Sequence, residues 1–410
     1  MEKRIAEFNC AKMLDEHFNY PHKNYPTILV GGTDGKGSTS SMIASILMEA
    51  GYKVGTINTP GIGKRDIIKI NGVCISKNDL DEFSNKVKQA AKVNNITIVR
   101  WVNVTIEAAL LYFQKEKVDI AVIECCKGIA TDPTNVVKPI VSVLTNVTPD
   151  HLEVFGNSYA NYIEDKLGII KSNTPCVVGE ISEDIKQLLV KKSAQLNSKL
   201  IFSNSLENNN ILRKIGEGEY ETTLGNVKCE LAGDYQVYNI STVLSTIKEL
   251  IKLGYKIDDN NVILGLNNVC KNTRLRGRFQ YLNREPNIIL DLCHTPEAWK
   301  KVIPQLSNMK CKNLHIFVVC YNNRDVEKIC KLLPDEAHIH YYFPISTVKR
   351  LRKPDELMNA TNWMCKSTRQ VATYEKNAIK ELMNTCDKDD CFFIGGCTEY
   401  TSLLNVNFNS

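Results

Sequence analysis

At 410 residues, with 43% hydrophobic and 24% charged residues, the chain exceeds what one hydrophobic core usually serves, so two or three domains are expected. The net charge of +5 is small for this length, and the densest basic cluster, Lys349-Arg350-Leu351-Arg352-Lys353, has no interleaved aromatics, so it reads as a solvated face and not as a nucleic-acid patch. No apolar run approaches the ~20 residues that span a bilayer, the first residues lack a signal-peptide core, and the 15 cysteines, odd in number and without a Cys-x-x-Cys pair, read as reduced thiols; a cytoplasmic enzyme with no membrane or nucleic-acid partner is expected.

In chain order, the first β-branched run is 27–30, a buried strand. It leads into Gly32-Thr33-Asp34-Gly35-Lys36-Gly37-Ser38-Thr39 and then a small-residue helical stretch, 40–50. Strand, glycine-rich loop and helix form a phosphate cradle. Glycines let backbone N–H groups converge on an anion, and the helix N-terminus adds partial positive charge. A nucleoside triphosphate is the natural occupant, with Lys36 on its terminal phosphates and the Ser38 hydroxyl on Mg²⁺. Only two residues separate the first glycine from Gly35-Lys36, and Gly37 separates Lys36 from Ser38, a spacing variant that narrows the family.

Further strands are predicted at 54–57, 118–123 and 140–146, and helices at 78–93, 104–114 and 159–170. The order suggests a parallel sheet covered on both faces. Residues 197–230 read as irregular and polar, with turns at Gly216, Gly218 and Gly225, followed by an amphipathic helix at 238–253. A second alternation starts near Phe279, with strands at 288–290, 315–319, 338–343 and 392–394 and helices at 296–306, 325–333 and 375–384. The expected fold is α/β: a P-loop parallel-sheet ATPase domain over 1–272 and a smaller Rossmann-like α/β domain over 273–410, with a cleft between them. In an open parallel sheet the C-terminal strand ends share one edge, so Glu124, after 118–123, and His151, after 140–146, are expected near Ser38 as a Mg²⁺ site around ATP. Cys125 and Cys126 lie beside it.

Four stretches then carry a resemblance. Residues 32–39 resemble the phosphate loop of the Mur ligase superfamily, in its folylpolyglutamate synthase and dihydrofolate synthase branch, with Asp34 where Asn is usual. Ile70-Asn71-Gly72-Val73-Cys74-Ile75-Ser76 resembles that branch's Ile-Asn-Gly-x-x-Ile-Ser. Val122-Ile123-Glu124 through Asp132-Pro133-Thr134-Asn135-Val136, with Thr145-Asn146 and Asp150-His151, resembles its metal-binding region. Arg276-Gly277-Arg278-Phe279 and Asp291-Leu292-Cys293-His294-Thr295-Pro296 resemble the start of its C-terminal domain.

The resemblance implies roles. Ser38 and Glu124 would ligate one Mg²⁺ and His151 would help hold a second. Lys166 matches the lysine that becomes carbamylated in the superfamily, and Gln236 and Asn239 match a Gln-x-x-Asn whose side chains face the nucleotide base. Arg278, Asp291 and His294 would reach ATP phosphates and the incoming amino acid. The implied reaction is ATP-driven amide synthesis: a carboxylate is activated as an acyl phosphate and joined to an amino acid, by a monomer or dimer. The chain departs from the pattern where the acceptor would sit. Asn58-Thr59-Pro60-Gly61-Ile62 stands for Thr-Ser-Pro-His-Leu, and Cys126-Lys127-Gly128-Ile129-Ala130 for Gly-Leu-Gly-Gly-Arg. Three readings follow: a glutamate-adding folate ligase, a Mur-type ligase with another acid or amine, and a nucleotide-binding protein without ligase turnover.

Overall fold

The computed structural model describes residues 1–59, 64–203, 213–345, 348–373, 382 and 384–396. The chain divides into two compact units, 1–230 with 236–275, and 231–235 with 276–410.

In the first unit, apolar runs form β1 (Thr27–Gly31), β2 (Val54–Ile57), β3 (Ile68–Ile70), β4 (Val73–Cys74), β5 (Ile120–Glu124), β6 (Val141–Asn146), β7 (Cys176–Glu180) and β8 (Leu200–Phe202). Among the described residues they make one sheet in the order β4-β3-β2-β5-β1-β6-β7-β8. From β2 to β8 neighbours are parallel, and β3 and β4 add an antiparallel edge. β1, β5 and β6 are buried along their whole length, which is why they read as continuous apolar runs without alternation. Helix Lys36–Glu49 packs on Gln236–Lys252 and Asp259–Asn267, and helix Trp101–Glu116 on Lys77–Val93 and Glu2–His17. The order β5-β1-β6 sets three C-terminal strand ends side by side: the register pairs Val30 with Glu124 and Gly31 with Leu144.

The helix expected at 159–170 ends at Leu167, with Gly168 as its cap. Helix Glu2–His17 was not anticipated, because it buries Arg4, Glu7 and Asp15 and so lacks a clean apolar stripe. Residues 197–230, expected to be irregular, hold β9 (Arg213–Gly216), β10 (Glu219–Thr222) and β11 (Gly225–Lys228) in a small antiparallel sheet. The turn glycines were legible; the four-residue strands between them are too short and polar to announce themselves.

In the second unit, β12 (Gln280–Arg284), β13 (Asn287–Asp291), β14 (Leu314–Val318), β15 (Ile339–Ile345), β16 (Arg369–Thr373) and β17 (Cys391–Gly395) form a sheet in the order β12-β13-β17-β14-β15-β16, antiparallel only at β12. Alternation splits its core in two: Trp299, Tyr341 and Phe393 pack in one cluster, Phe317, Tyr342 and Phe392 in another. The helix expected at 325–333 shortens to Val326–Cys330. The one expected at 375–384 falls almost wholly outside the described residues. Segment 231–235 packs with this unit before the chain returns to helix Gln236–Lys252: Asp234 donates its N–H to Gln305 Oε1 (2.8 Å), and Gln305 Nε2 donates to the Ala232 carbonyl (2.9 Å).

Asn71-Gly72, between β3 and β4, adopts φ of +45° and +73°, the paired left-handed conformation that favours Asn-Gly in tight hairpins. A Cβ on Gly72 would also overlap the Asn272 carbonyl oxygen, whereas one on Gly51, at φ +87°, meets nothing within 4 Å. Gly51→Ala is therefore expected to cost about 1 kcal/mol of unfolding free energy, and Gly72→Ala at least ~2 kcal/mol, because backbone strain is joined by a backbone collision. Urea unfolding of the two variants measures the difference.

Candidate active site

The loop after β1 is held chiefly by the end of β6. Asn146 Oδ1 accepts the N–H groups of Thr33 (3.2 Å) and Asp34 (2.9 Å), and the Thr145 hydroxyl donates to the Asp34 carbonyl (2.6 Å). The hydroxyls of Thr33 and Tyr162 both reach the Thr148 carbonyl (2.9 and 2.7 Å). Gly32 and Gly35 take φ of +140° and +77°. A Cβ on Gly35 would collide with Asn239 Oδ1, so the glycine is required by both conformation and space. Gly35 caps helix Lys36–Glu49 without a side chain, which leaves the leading amides of Lys36, Gly37 and Ser38 for an anion. The Thr39 hydroxyl is buried with no hydrogen-bond partner among the described residues, a second sign that this end of the helix fits a polar ligand.

Lys36 folds back so that its ammonium donates to the Thr33 carbonyl (2.6 Å). Lys166, on helix Tyr159–Leu167, is only 3% exposed and donates to the Gly32 carbonyl (3.0 Å). Burial, and secondarily the charge of Lys36, lowers its pKa to about 8, so a substantial neutral fraction exists near physiological pH. Ser38 is buried, and Gln236 Nε2 donates to its Oγ (3.3 Å) while Asn239 donates to Gln236 Oε1 (2.8 Å). The resemblance implies a base-facing role for Gln236 and Asn239; their contacts here are with each other and with the phosphate loop.

Glu124, which ends β5, is buried rather than facing open solvent. Its Oε2 accepts from Asn58 Nδ2 (3.2 Å) and the Thr59 N–H (3.3 Å), and Asn58 also donates to Ser40 Oγ (2.8 Å), linking the carboxylate to the phosphate-loop helix. Ser38 and Glu124 together offer a hydroxyl and a carboxylate, the hard oxygen donors that Mg²⁺ takes. His151 stands at φ +53° with Nδ1 3.2 Å from Glu153 Oε1 and Nε2 3.7 Å from Asp150 Oδ2, so it sits among carboxylates of its own loop. Gly61 lies outside the described residues.

Sequence reasoning missed how the loop after β5 is shaped, although it places Asp132 in the stretch that resembles a metal-binding region. Asp165 accepts from the Ile129 N–H (2.6 Å), the Thr131 N–H (3.0 Å) and the Thr131 hydroxyl (2.6 Å). Asp132 accepts the N–H groups of Cys126, Lys127 and Thr134. Arg4, from the first helix, donates Nε to Thr131 Oγ1 (2.9 Å) and lies 3.8 Å from Asp132. The Asp132-Pro133 pair before a short helix was the one readable signal. Burial drives the Cys125 thiol up to about 12 and raises Cys126 as well, so neither is a reactive thiolate.

Within the second unit, the Asp291 carboxylate accepts from the Tyr235 hydroxyl (2.6 Å) and the Phe279 N–H (2.7 Å), and burial raises its pKa. Arg278 donates to the Gly277 carbonyl (3.0 Å), and His294 Nδ1 donates to the Leu292 carbonyl (2.9 Å). Asp291 thus ties segment 231–235 to its own unit.

The Mur ligase middle domain model matches residues 30–247, just over half of the chain. The chain belongs to the Mur ligase family. Among curated relatives of this Mur ligase, a dihydrofolate synthase/folylpolyglutamate synthase of Bacillus subtilis is 28% identical over 85% of the chain and 84% of that protein. A protein of Haloferax volcanii named "Probable bifunctional folylpolyglutamate synthase/dihydropteroate synthase" is 25% identical over 94% of the chain; the chain spans only 46% of that protein's length. Both relatives carry folylpolyglutamate synthase in their names. The solved structure of Mycobacterium tuberculosis folylpolyglutamate synthase complexed with ADP superposes with a TM-score of 0.84 at 18% identity, covering 98% of this chain and 95% of that one, which establishes the two-domain α/β fold. Among the described residues no helix is long and apolar enough to cross a membrane.

The lowered pKa of Lys166 has a stability consequence. Between about 8 and 10.5 the unfolded chain holds a proton on this amine that the folded chain does not, so stability rises with pH through that window, and the cost of the buried charge is fully present below it. Lys166→Met removes the cost. Its unfolding free energy relative to wild type is expected to fall by about 2–3 kcal/mol between pH 7.5 and 10; an unchanged gap in urea titrations at the two values contradicts the assignment.

Proposed function

We propose that this Mur ligase uses ATP to join an amino acid, glutamate by preference, to a folate-type carboxylate. The observation that carries the proposal is the phosphate loop fastened from β6, with Lys36 on its rim, Lys166 buried against Gly32, and Glu124 linked through Asn58 to its helix. The ADP named for the mycobacterial structure and the synthase names of the relatives support it.

A carboxylate resists attack because its charge is delocalised. Transfer of the γ-phosphoryl group makes an acyl phosphate, the amine adds to its carbonyl, and collapse of the tetrahedral adduct expels phosphate, leaving an amide, ADP and phosphate. The leading amides of helix Lys36–Glu49 and the Lys36 ammonium orient the phosphates and offset their charge as it redistributes. Mg²⁺ held by Ser38 and Glu124 would supply electrostatic stabilisation of the polyphosphate, and His151, between Asp150 and Glu153, is the candidate for a second ion. The neutral fraction of Lys166 fits CO₂ addition at Nζ, giving a carbamate and one released proton. A mass increase of one CO₂ on native protein in bicarbonate, absent in Lys166→Met, checks this.

A second reading keeps the chemistry and changes the acid or amine. The loop Cys126-Lys127-Gly128-Ile129-Ala130 favours it: Ala130 lies tightly against Gly168 where the branch places an arginine. Phosphate release from Mg-ATP, with pteroates, folates and other acids crossed against amino acids and products read by mass, separates the two. A glutamyl-folate product supports the first reading, another pair the second, and no turnover with any pair overturns both. Lys36→Ala and Glu124→Gln are expected to lower turnover by ~10²–10³-fold with unfolding midpoints near wild type, because each removes charge at the phosphates without emptying a core position.

A further inference from the structure

The second unit brings three metal-ligating side chains together. His315, Cys386 and Asp390 present one ligand atom each within 4.8 Å of one another. His315 Nε2 lies 3.6 Å from Cys386 Sγ and 3.7 Å from Asp390 Oδ2. Tetrahedral zinc with ordinary bond lengths separates its nitrogen and sulfur ligands by about 3.6 Å, and nitrogen and oxygen by about 3.4 Å. The observed spacing is already close to that of a ligand set.

The ligands are also held in place. The imidazole is stacked between Phe392 (centroids 4.8 Å, planes 18° apart) and His340 (5.3 Å, 22°), and its Nδ1 is engaged by the Tyr342 hydroxyl at 2.9 Å, which turns Nε2 toward the other two groups. The Asp390 carboxylate is fixed by the backbone and side-chain amides of Asn313 (3.0 and 2.9 Å) and by the Asp387 N–H (2.9 Å). Such outer partners orient metal ligands and settle which imidazole nitrogen is available. His315 and Asp390 are buried and Cys386 half-buried, so the position is shielded yet reachable.

We propose that His315 Nε2, Cys386 Sγ and Asp390 Oδ2 bind one zinc-class divalent cation, with water completing a tetrahedron. Binding takes the thiol as thiolate and releases its proton. His315 is the second residue of β14 and Asp390 immediately precedes β17, so the ion sits near the N-terminal ends of the parallel strands, whereas Asp291 and His294 lie at and just beyond the C-terminal end of β13. It would staple the 386–390 turn to β14. Mixed nitrogen, sulfur and oxygen donors favour zinc over Mg²⁺, so this site and the Ser38–Glu124 pair would load different ions.

The test uses the full chain, stripped with chelator and titrated with Co²⁺. One equivalent is expected to give thiolate-to-cobalt charge-transfer absorption and tetrahedral d–d bands, both displaced by Zn²⁺. Cys386→Ser is expected to lose the charge-transfer band. If that variant folds poorly by circular dichroism, Asp390→Asn serves, with an expected loss in cobalt affinity of at least ~10-fold. Absence of the band in wild type, a band of undiminished intensity in Cys386→Ser, or unchanged affinity in Asp390→Asn overturns the site.

Discussion

The active-site region depends on one constraint: a loop of four residues must reverse between β1 and the following helix without occupying the space where an anion goes. Its own side chains do not hold it there unaided, although the Thr33 hydroxyl reaches the Thr148 carbonyl. The neighbouring strand does, because the parallel order puts the end of β6 beside β1, and Thr145 and Asn146 pin the loop through its carbonyl and amide groups. Asn239 then fills the volume beside Gly35, and Gln236 beneath it orients the Ser38 hydroxyl. Replacing either loop glycine would set a side chain against these supports, so the glycines belong to the packing as much as to the conformation.

Charge is concentrated on that frame at a cost. Lys36 and Lys166 both donate to carbonyls of the same loop, and Lys166 does so from a buried position, over the Tyr162 ring at 5.0 Å. Burial, and secondarily the charge of Lys36, disfavours the proton on Lys166 and lowers its pKa. Such repulsion is tolerable where a polyanion binds, since the ligand's charge compensates both. Asp165 offsets part of that cost at Lys166, while both Asp165 and Asp132 also accept backbone amides of the loop after β5.

What the sequence discloses follows from how locally each feature is encoded. β1, β5 and β6 are legible because a strand buried on both faces must be apolar throughout, and the phosphate loop because its glycines, Lys36 and Ser38 are contiguous. Helix Glu2–His17 is not legible, since Arg4 and Glu7 are buried through partners far along the chain: Arg4 meets Thr131, Glu7 meets Arg100. Glu124 was legible as a candidate but not as a buried one, because its cover comes from Asn58 and Thr59 on another connection. The cluster at His315 has no sequence signature at all. Its ligands are 71 and 75 positions apart, and only the strand order joins them.

The same distinction separates the two sides of the site by how each is held in place. Side chains on the phosphate side are themselves the supports, so a change at Asn146 or Thr145 removes bonds that hold the loop. The segment 126–131, which contains the departure at 126–130 from the resembled pattern, is held differently. Asp132 and Asp165 grip it through the N–H groups of Cys126, Lys127, Ile129 and Thr131, and Arg4 braces it through the Thr131 hydroxyl. A loop fastened by its backbone keeps its path whatever most of its side chains are. Lys127, Gly128 and Ala130 can therefore differ from the family pattern while the strand end at Glu124 stays in place, and a change of acceptor requires no rebuilding of the machinery that handles ATP.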